Sequence, residues 1–272
     1  MNPTAAVHLE QATIVPAGAA RQAQPLLQAL DVRIASGEHV ALIGASGAGK
    51  TTLMLALATA LPLAGGRLQL WGQSSDQLST RQRQRLRASL FYAPQVPPLA
   101  PRQRVVIAVL AGRLPQMGLL RSLRTLWHPS RADARWAHEM LCSVDLPDKL
   151  WHRVDRLSGG ERQRVGLARL LASDARLWLV DEPLSALDPT RAAQVMDTLI
   201  DTARTRQATL ICSLHQVEVA RSRFARIIAL RGGRIVYDGP SAELSDDRLN
   251  ALYAADTPPG AVPDATITEP RR

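Results

Sequence analysis

Lysine is almost absent from this chain of 272 residues: only Lys50 and Lys149 occur, so the formal net charge of +9 is carried by arginine. Cysteine is just as scarce. Cys142 and Cys212 stand far apart and in no ligand-like spacing, which excludes a disulfide framework and suits a reducing compartment. Both read as small, buried, apolar residues without a chemical role. Long apolar runs are missing too. The longest uncharged stretch, between Lys50 and Arg67, contains Thr51, Thr52, Pro62 and Gly65, and is too short and too interrupted to span a bilayer. The opening MNPTAAVHLE has no basic start followed by an apolar core, so export is not expected and the chain should stay in the cytoplasm.

What is present suits a folded domain with a sizeable core. A hydrophobic fraction of 46% and a charged fraction of 21% are ordinary globular values. The basic balance points to an acidic partner, and charge alone does not choose between nucleic acid and an anionic membrane face.

Hydrophobic periodicity predicts a small β layer from Val7–Val15 and Leu30–Ala35. His39–Ile43 is a short apolar run entering a glycine-rich loop at Gly44, and Thr51–Leu61 has helix-forming composition up to Pro62. Two further strands are expected at Gly66–Gly72 and Ser89–Ala93. From about Val96 to Leu157 helix and proline punctuation dominate, which reads as an inserted helical subdomain. Within it Trp136, Met140, Leu141 and Val144 share one helical face and read as packing. Strand and helix signals then alternate: Leu177–Val180, a helix after Pro189, Thr209–Ser213, a short helix after His215, and Arg226–Leu230. Such alternation predicts an α/β fold with a mostly parallel sheet covered by helices. The proline-rich stretch 257–272 is expected to be a disordered tail, leaving one domain over 1–256.

Gly44-Ala45-Ser46-Gly47-Ala48-Gly49-Lys50-Thr51 matches G-x-x-x-x-G-K-S/T between a predicted strand and a predicted helix. Glycines let backbone N–H groups turn inward around phosphate oxygens, and the helix that follows, opening with Thr51 and Thr52, presents its positive end. Lys50 can then neutralise the β and γ phosphates while the Thr51 hydroxyl ligates Mg²⁺. The apolar run Leu177–Val180 delivers Asp181 and Glu182 at its C-terminal end, where open α/β sheets bind ligands. Asp181 is placed to hold Mg²⁺ and Glu182 to orient or deprotonate an attacking water.

Leu157-Ser158-Gly159-Gly160-Glu161-Arg162-Gln163-Arg164 resembles the signature sequence of ATP-binding-cassette (ABC) ATPases, whose common form has Gln at the position of Glu161. Tyr92-Ala93-Pro94-Gln95 resembles the Q-loop of that family, Ser185-Ala186-Leu187-Asp188 its D-loop, and Leu214-His215 its switch histidine. Together these motifs span roughly residues 7–240. The resemblance implies a P-loop NTPase with an N-terminal antiparallel β subdomain and an inserted helical subdomain. It further implies ATP and Mg²⁺ as ligands, with Gln95 reaching the metal and attacking water, His215 the γ-phosphate, and Ser158, Gly159, Gly160 and Asp188 completing the nucleotide site. Two copies would pair head to tail, each phosphate loop facing the Ser158–Gly160 segment of the other. Independently of the name, Ser158-Gly159-Gly160 can open a helix whose free N–H groups form an anion site.

The implied partners are integral membrane permease subunits and, through them, a periplasmic substrate-binding protein. The implied location is the cytoplasmic face of the inner membrane, as a peripheral subunit. A nucleic-acid partner is not expected, because neither the long coiled coil of DNA-repair relatives nor the doubled cassette of ribosome-associated relatives is visible. One departure stands out: Thr13-Ile14-Val15-Pro16-Ala17 lacks the aromatic residue with which the family stacks on adenine.

Features outside the shared motifs resemble the ATPases of phosphonate importers. These are Ser213–Ala220 around the switch histidine, Arg226–Arg231 followed by Tyr237-Asp238-Gly239, Leu249–Tyr253, and the Arg- and Leu-rich stretch Leu110–Trp127. The resemblance implies phosphonate or a related phosphorus oxyanion as cargo, which these residues would not themselves touch.

Overall fold

A computed structural model describes residues 5–16, 24–245 and 247–249. The expected tail at 257–272, residue Ala17, and all of Leu249–Tyr253 beyond Leu249 lie outside the described residues. Among the described residues, ten strands and eight α-helices follow in chain order: β1 (Ala5–Ile14), β2 (Leu27–Ala35), β3 (His39–Ile43), α1 (Lys50–Leu57), β4 (Gly65–Leu70), β5 (Gln73–Ser74), α2 (Thr80–Ala88), β6 (Leu90–Ala93), α3 (Val105–Leu110), α4 (Leu119–Trp127), α5 (Arg131–Cys142), α6 (Gly159–Ala172), β7 (Leu177–Asp181), α7 (Pro189–Thr205), β8 (Thr209–Ser213), α8 (Val217–Arg223), β9 (Arg226–Arg231) and β10 (Arg234–Pro240).

Two sheets form. The antiparallel one has the order β2-β1-β4-β5; the larger has the order β10-β9-β3-β8-β7-β6, parallel throughout except for β10. The strands β3, β7 and β8 are short apolar runs with almost every residue buried, because helices or the second sheet cover both faces. One core, with Val40, Leu42, Leu177 and Leu179, fills the space between the two sheets and α1. The other packs α3, α5, α6 and α7 against Trp178, Val180, Leu210 and Cys212. Leu141 and Val144 are buried there, with Trp136 and Met140 half-buried against it, as the helical spacing predicts.

Three local differences from the sequence reading have physical causes. Helix α1 ends at Leu57, four residues before the expected Leu61. Thr59 takes a left-handed φ of 57° and the N–H groups of Ala60 and Leu61 fold back onto Leu55 O, so the helix is capped before Pro62 acts. Helix α2 was not anticipated: TRQRQRLRA offers Leu86 as its single buried residue, and its start is set by a capping box between Ser79 and Gln82. Cys142, expected to be buried, is exposed, because α5 turns Ala137 and Leu141 inward and the adjacent position faces out.

Arg226 fastens the two sheets. Its guanidinium donates to both Asp238 oxygens (2.7 and 2.8 Å), to Glu38 Oε1 (2.9 Å) and to Arg33 O (2.9 Å). The bidentate contact with Asp238 holds its charged form well above the ordinary arginine range. Arg226→Met should therefore lower unfolding stability by about 2–4 kcal/mol, read as a drop in the urea midpoint.

Candidate nucleotide-hydrolysis site

Four parallel strands end side by side, and their C-terminal edges carry the chemistry. From β3 the chain enters Gly44–Gly49 and then α1. Gly44, with φ 149°, runs so close to β9 that a Cβ would lie 2.3 Å from Leu230 O, and Gly49 takes φ 103° immediately before the helix. Only glycine permits this compact ring. Lys50 folds back across it and is 5% exposed, donating from Nζ to Gly44 O at 2.7 Å and to Ala45 O at 3.1 Å. Burial lowers its pKa, and the nearby charges of Glu182 and Asp181 oppose that shift. Ala45 is half-buried, Ser46 and Gly47 are exposed, and Ala48 is buried; Thr51 is exposed and Thr52 half-buried.

Strand β7 brings Asp181 and Glu182 to the same edge. Register explains the contacts: Asp181 pairs with Ser213 of β8, and Leu42 of β3 pairs with Ser213 from the other side. The loop after β3 and the end of β7 therefore flank the end of β8. Buried Asp181 accepts from Thr51 Oγ1 at 2.8 Å, from Tyr92 OH at 3.3 Å and from Ser213 Oγ. Burial, and the charge of Asp181, push the Tyr92 phenol above its ordinary range, so it stays a donor.

Glu182 has φ 48°, an uncommon conformation for this residue type, and its N–H donates to Ser213 Oγ at 3.0 Å. The carboxylate contacts His215 Nε2, and the imidazole is half-exposed.

The signature segment lies outside this cluster. Ser158 caps α6: its hydroxyl accepts from Glu161 N–H (3.2 Å), and its own N–H donates to Glu161 Oε2 (2.8 Å). At the departure from the common signature, Glu161 thus supplies the capping carboxylate, and Lys149 pairs with it at 3.0 Å. The Ser158 N–H bond holds the Glu161 carboxyl below its ordinary range. Ser158 and Gly159 are exposed, and the segment makes no hydrogen bond to Gly44–Thr51 of its own chain among the described residues. Gly160 packs close against Ala186 O (2.7 Å from a Cβ position), so the start of α6 touches the segment Ser185–Asp188 with no room for a side chain. Asp188 is exposed and caps α7 through Arg191 N–H at 3.1 Å, a bond that lowers its pKa.

The structure thus joins Thr51 to Asp181 and Glu182 to His215 directly, with Lys50 at the same sheet edge. Gln95 follows two residues after Ala93, the β6 partner of Val180, so it sits at the same sheet edge with its side chain exposed. Three contributing residues escaped sequence reasoning. Tyr92 and Ser213 brace Asp181. Gln163 bridges α6 to the site, donating to Glu182 O (2.9 Å) and Ser185 Oγ (3.2 Å) and accepting from Ala186 N–H (3.1 Å). All three stood inside quoted motifs or strands, but which residues meet across the sheet depends on register. Gln163→Ala leaves Glu182 O and Ala186 N–H without this partner, and should cost about 1–3 kcal/mol of stability. It should lower kcat more than it changes ATP affinity, which steady-state kinetics beside equilibrium nucleotide binding would separate.

The comparisons with known proteins agree with this geometry. The family model described as ABC transporter matches residues 27–185. The phosphonates import ATP-binding protein PhnC of Polaromonas sp. (strain JS666) is 52% identical over 251 residues, covering 91% of this chain and 89% of that protein. The protein of the same name from Pseudomonas fluorescens (strain Pf0-1) is 47% identical over 248 residues, covering 90% and 93%. Among solved structures, a dimeric ATP-binding cassette in a post-hydrolysis state, bound to ADP and Pi, superposes with a TM-score of 0.76 at 25% identity, covering 86% of this chain and 98% of that one. A phosphate loop, two carboxylates at a strand end and a capped signature helix, joined to identity along nine-tenths of the chain, carry one conclusion: the chain belongs to the ABC transporter family of ATP-binding cassettes.

Proposed function

We propose that this chain is the ATP-hydrolysing subunit that powers an importer of phosphonate or a related phosphorus oxyanion. The observation that carries the cargo is the name shared by relatives at about half identity along nearly their whole length. The observation that supports hydrolysis is the meeting of Lys50, Thr51, Asp181, Glu182 and His215 at one sheet edge.

The residues fit a hard divalent cation. Thr51 Oγ1 and Asp181 Oδ2 are oxygen donors 2.8 Å apart beside the phosphate loop, and Mg²⁺ is commonly held by one or two protein oxygens plus phosphates and waters. Thr51 and Asp181 would hold it, with Gln95 reaching in from the end of β6. When bound, the ion neutralises charge on the β and γ phosphate oxygens.

The chain's own groups do the rest by positioning and electrostatics. The inward N–H groups of Gly44–Gly49 cradle the phosphates, and Lys50 exchanges its two carbonyl partners for phosphate oxygens. Glu182 orients the attacking water and accepts its proton, while His215 donates a hydrogen bond to the γ-phosphate. The Ser158–Gly160 helix start, with Ser158 and Gly159 exposed, and Asp188 serve a second copy, paired head to tail, so hydrolysis requires closure of the dimer. Permease subunits sit over the Gln95 loop and the helical insertion around α3 and α5, so that closure moves the pore. A periplasmic substrate-binding protein delivers the cargo, and the chain works as a peripheral subunit on the cytoplasmic face of the inner membrane.

The cargo is tested by deleting the gene and supplying an alkylphosphonate or phosphite as sole phosphorus source, with phosphate-grown cells as control. Growth on phosphate alone supports the assignment; unchanged phosphonate uptake in a strain lacking any redundant transporter overturns it and leaves the ATPase reading intact.

Base recognition follows from the missing aromatic. Among the described residues of the stretch, Ile14 is buried and Thr13, Val15 and Pro16 are half-buried, and none can stack as a ring. Base stacking is worth about 1–3 kcal/mol, so ATP should compete with GTP by less than about tenfold in binding. A hundredfold preference in a competition assay would show that another residue supplies the platform.

A further inference from the structure

Charge is distributed unevenly along the chain. Between residues 77 and 132 there are ten arginines and no Asp or Glu, so this segment alone accounts for the whole positive excess and the remainder is close to neutral. The same segment carries α4, whose face is built unlike that of any neighbouring helix. Leu119, Leu120, Leu123, Leu126 and Trp127 fall within an arc of about 120° on a helix turning about 100° per residue. All five are exposed, Leu120 at 85% and Trp127 at 91%. Thr125, on the opposite side, is buried, and its hydroxyl contacts Met117 Sδ, so the helix is seated by its polar side and turns its leucines outward. Exposed Arg124 borders the apolar arc, and Arg121, also exposed, lies nearer the seated side. Gln116 donates to Ala88 O at 3.1 Å, which sets the arginine-rich end of α2 beside the turn that enters α4.

We infer that α4 is an interfacial helix that lies on an anionic lipid bilayer, its leucines and Trp127 entering the headgroup boundary while the arginines of residues 77–132 meet lipid phosphates. The pattern has the two parts such a helix needs: a contiguous Leu/Trp face, and cationic residues with no acidic ones to repel the surface. A nucleic-acid partner would use the arginines but leave the leucine face in water. Trp127 marks the depth, since indole rings favour the interface. The inference does not depend on the cargo, and its failure would leave the ATPase reading untouched.

The test uses the full chain and vesicles of phosphatidylcholine with about a third phosphatidylglycerol, compared with phosphatidylcholine alone. The protein should co-sediment with the anionic vesicles, at least about tenfold more weakly with the neutral ones, and less in 1 M salt, where the Debye length shrinks to about 3 Å. Leu120→Glu with Trp127→Glu should reduce binding by at least about tenfold; both side chains are exposed, so an unchanged melting curve is expected and checks folding. Arg121→Gln with Arg124→Gln should keep the apolar contribution and lose part of the salt sensitivity. In Trp127→Phe, binding should persist while the blue shift of tryptophan emission on lipid is diminished. No binding of the parent protein to anionic vesicles, or binding indifferent to the double Glu variant, would overturn the inference. So would lipid-free self-association that the double Glu variant abolishes, which would assign the face to a second copy.

Discussion

Glu182→Gln should bind ATP as the parent does and accumulate as a closed dimer with hydrolysis reduced by about 10²–10⁴-fold. The substitution keeps the side chain's length and its ability to contact His215, and leaves the Thr51–Asp181 pair and the Lys50 ring intact. It removes only the carboxylate proposed to orient water and take its proton. Single-turnover hydrolysis, read beside gel filtration with and without ATP, separates the two effects. Turnover close to the parent's would mean that another group activates water.

Lys50→Ala should act one step earlier. The side chain is buried, and its ammonium bridges Gly44 O and Ala45 O, so it already occupies the place where phosphate oxygens would take over those bonds. Hydrogen bonds to charged groups are worth about 1.5–3 kcal/mol each, so losing even one should weaken ATP binding by roughly 10- to 150-fold, and losing two by more. Equilibrium titration with a fluorescent ATP analogue measures it. Because Ala also leaves two carbonyls without their partner, a melting curve should accompany the titration. A variant that melts normally and binds ATP as the parent does would remove Lys50 from the site.

How much of this site can be read from sequence depends on how local its cause is. The ring from Gly44 to Thr51 is legible because strand, glycines, lysine and helix are consecutive and each residue type has one steric or electrostatic reason to be there. Asp181 and Glu182 are legible because a fully apolar strand must end at a sheet edge. The support behind them is not. Tyr92 and Gln163 lie 89 and 19 residues from their partners Asp181 and Glu182, and Ser213 meets Asp181 only because β7 and β8 pair in that register. The fold behaves likewise. Strands β3 and β8 were bounded correctly by their apolar runs, whereas α2, with one buried side chain, owes its existence to a cap and to tertiary context. The early end of α1 turns on a left-handed Thr59 that no periodicity signals.

The central claim is that each hydrolytic site is shared by two copies, with Lys50 from one and Ser158 from the other. Its most direct test is ATPase activity after mixing Lys50→Ala chains with Ser158→Arg chains. Each variant alone should be inactive, because every site in its dimer carries a defect. In the mixed dimer one site has both lesions and the other has none, so turnover should reappear and rise with the fraction of mixed dimers. A mixture as inactive as its separate components, despite mixed dimers seen by native mass spectrometry, would place the whole site within one chain and contradict the account.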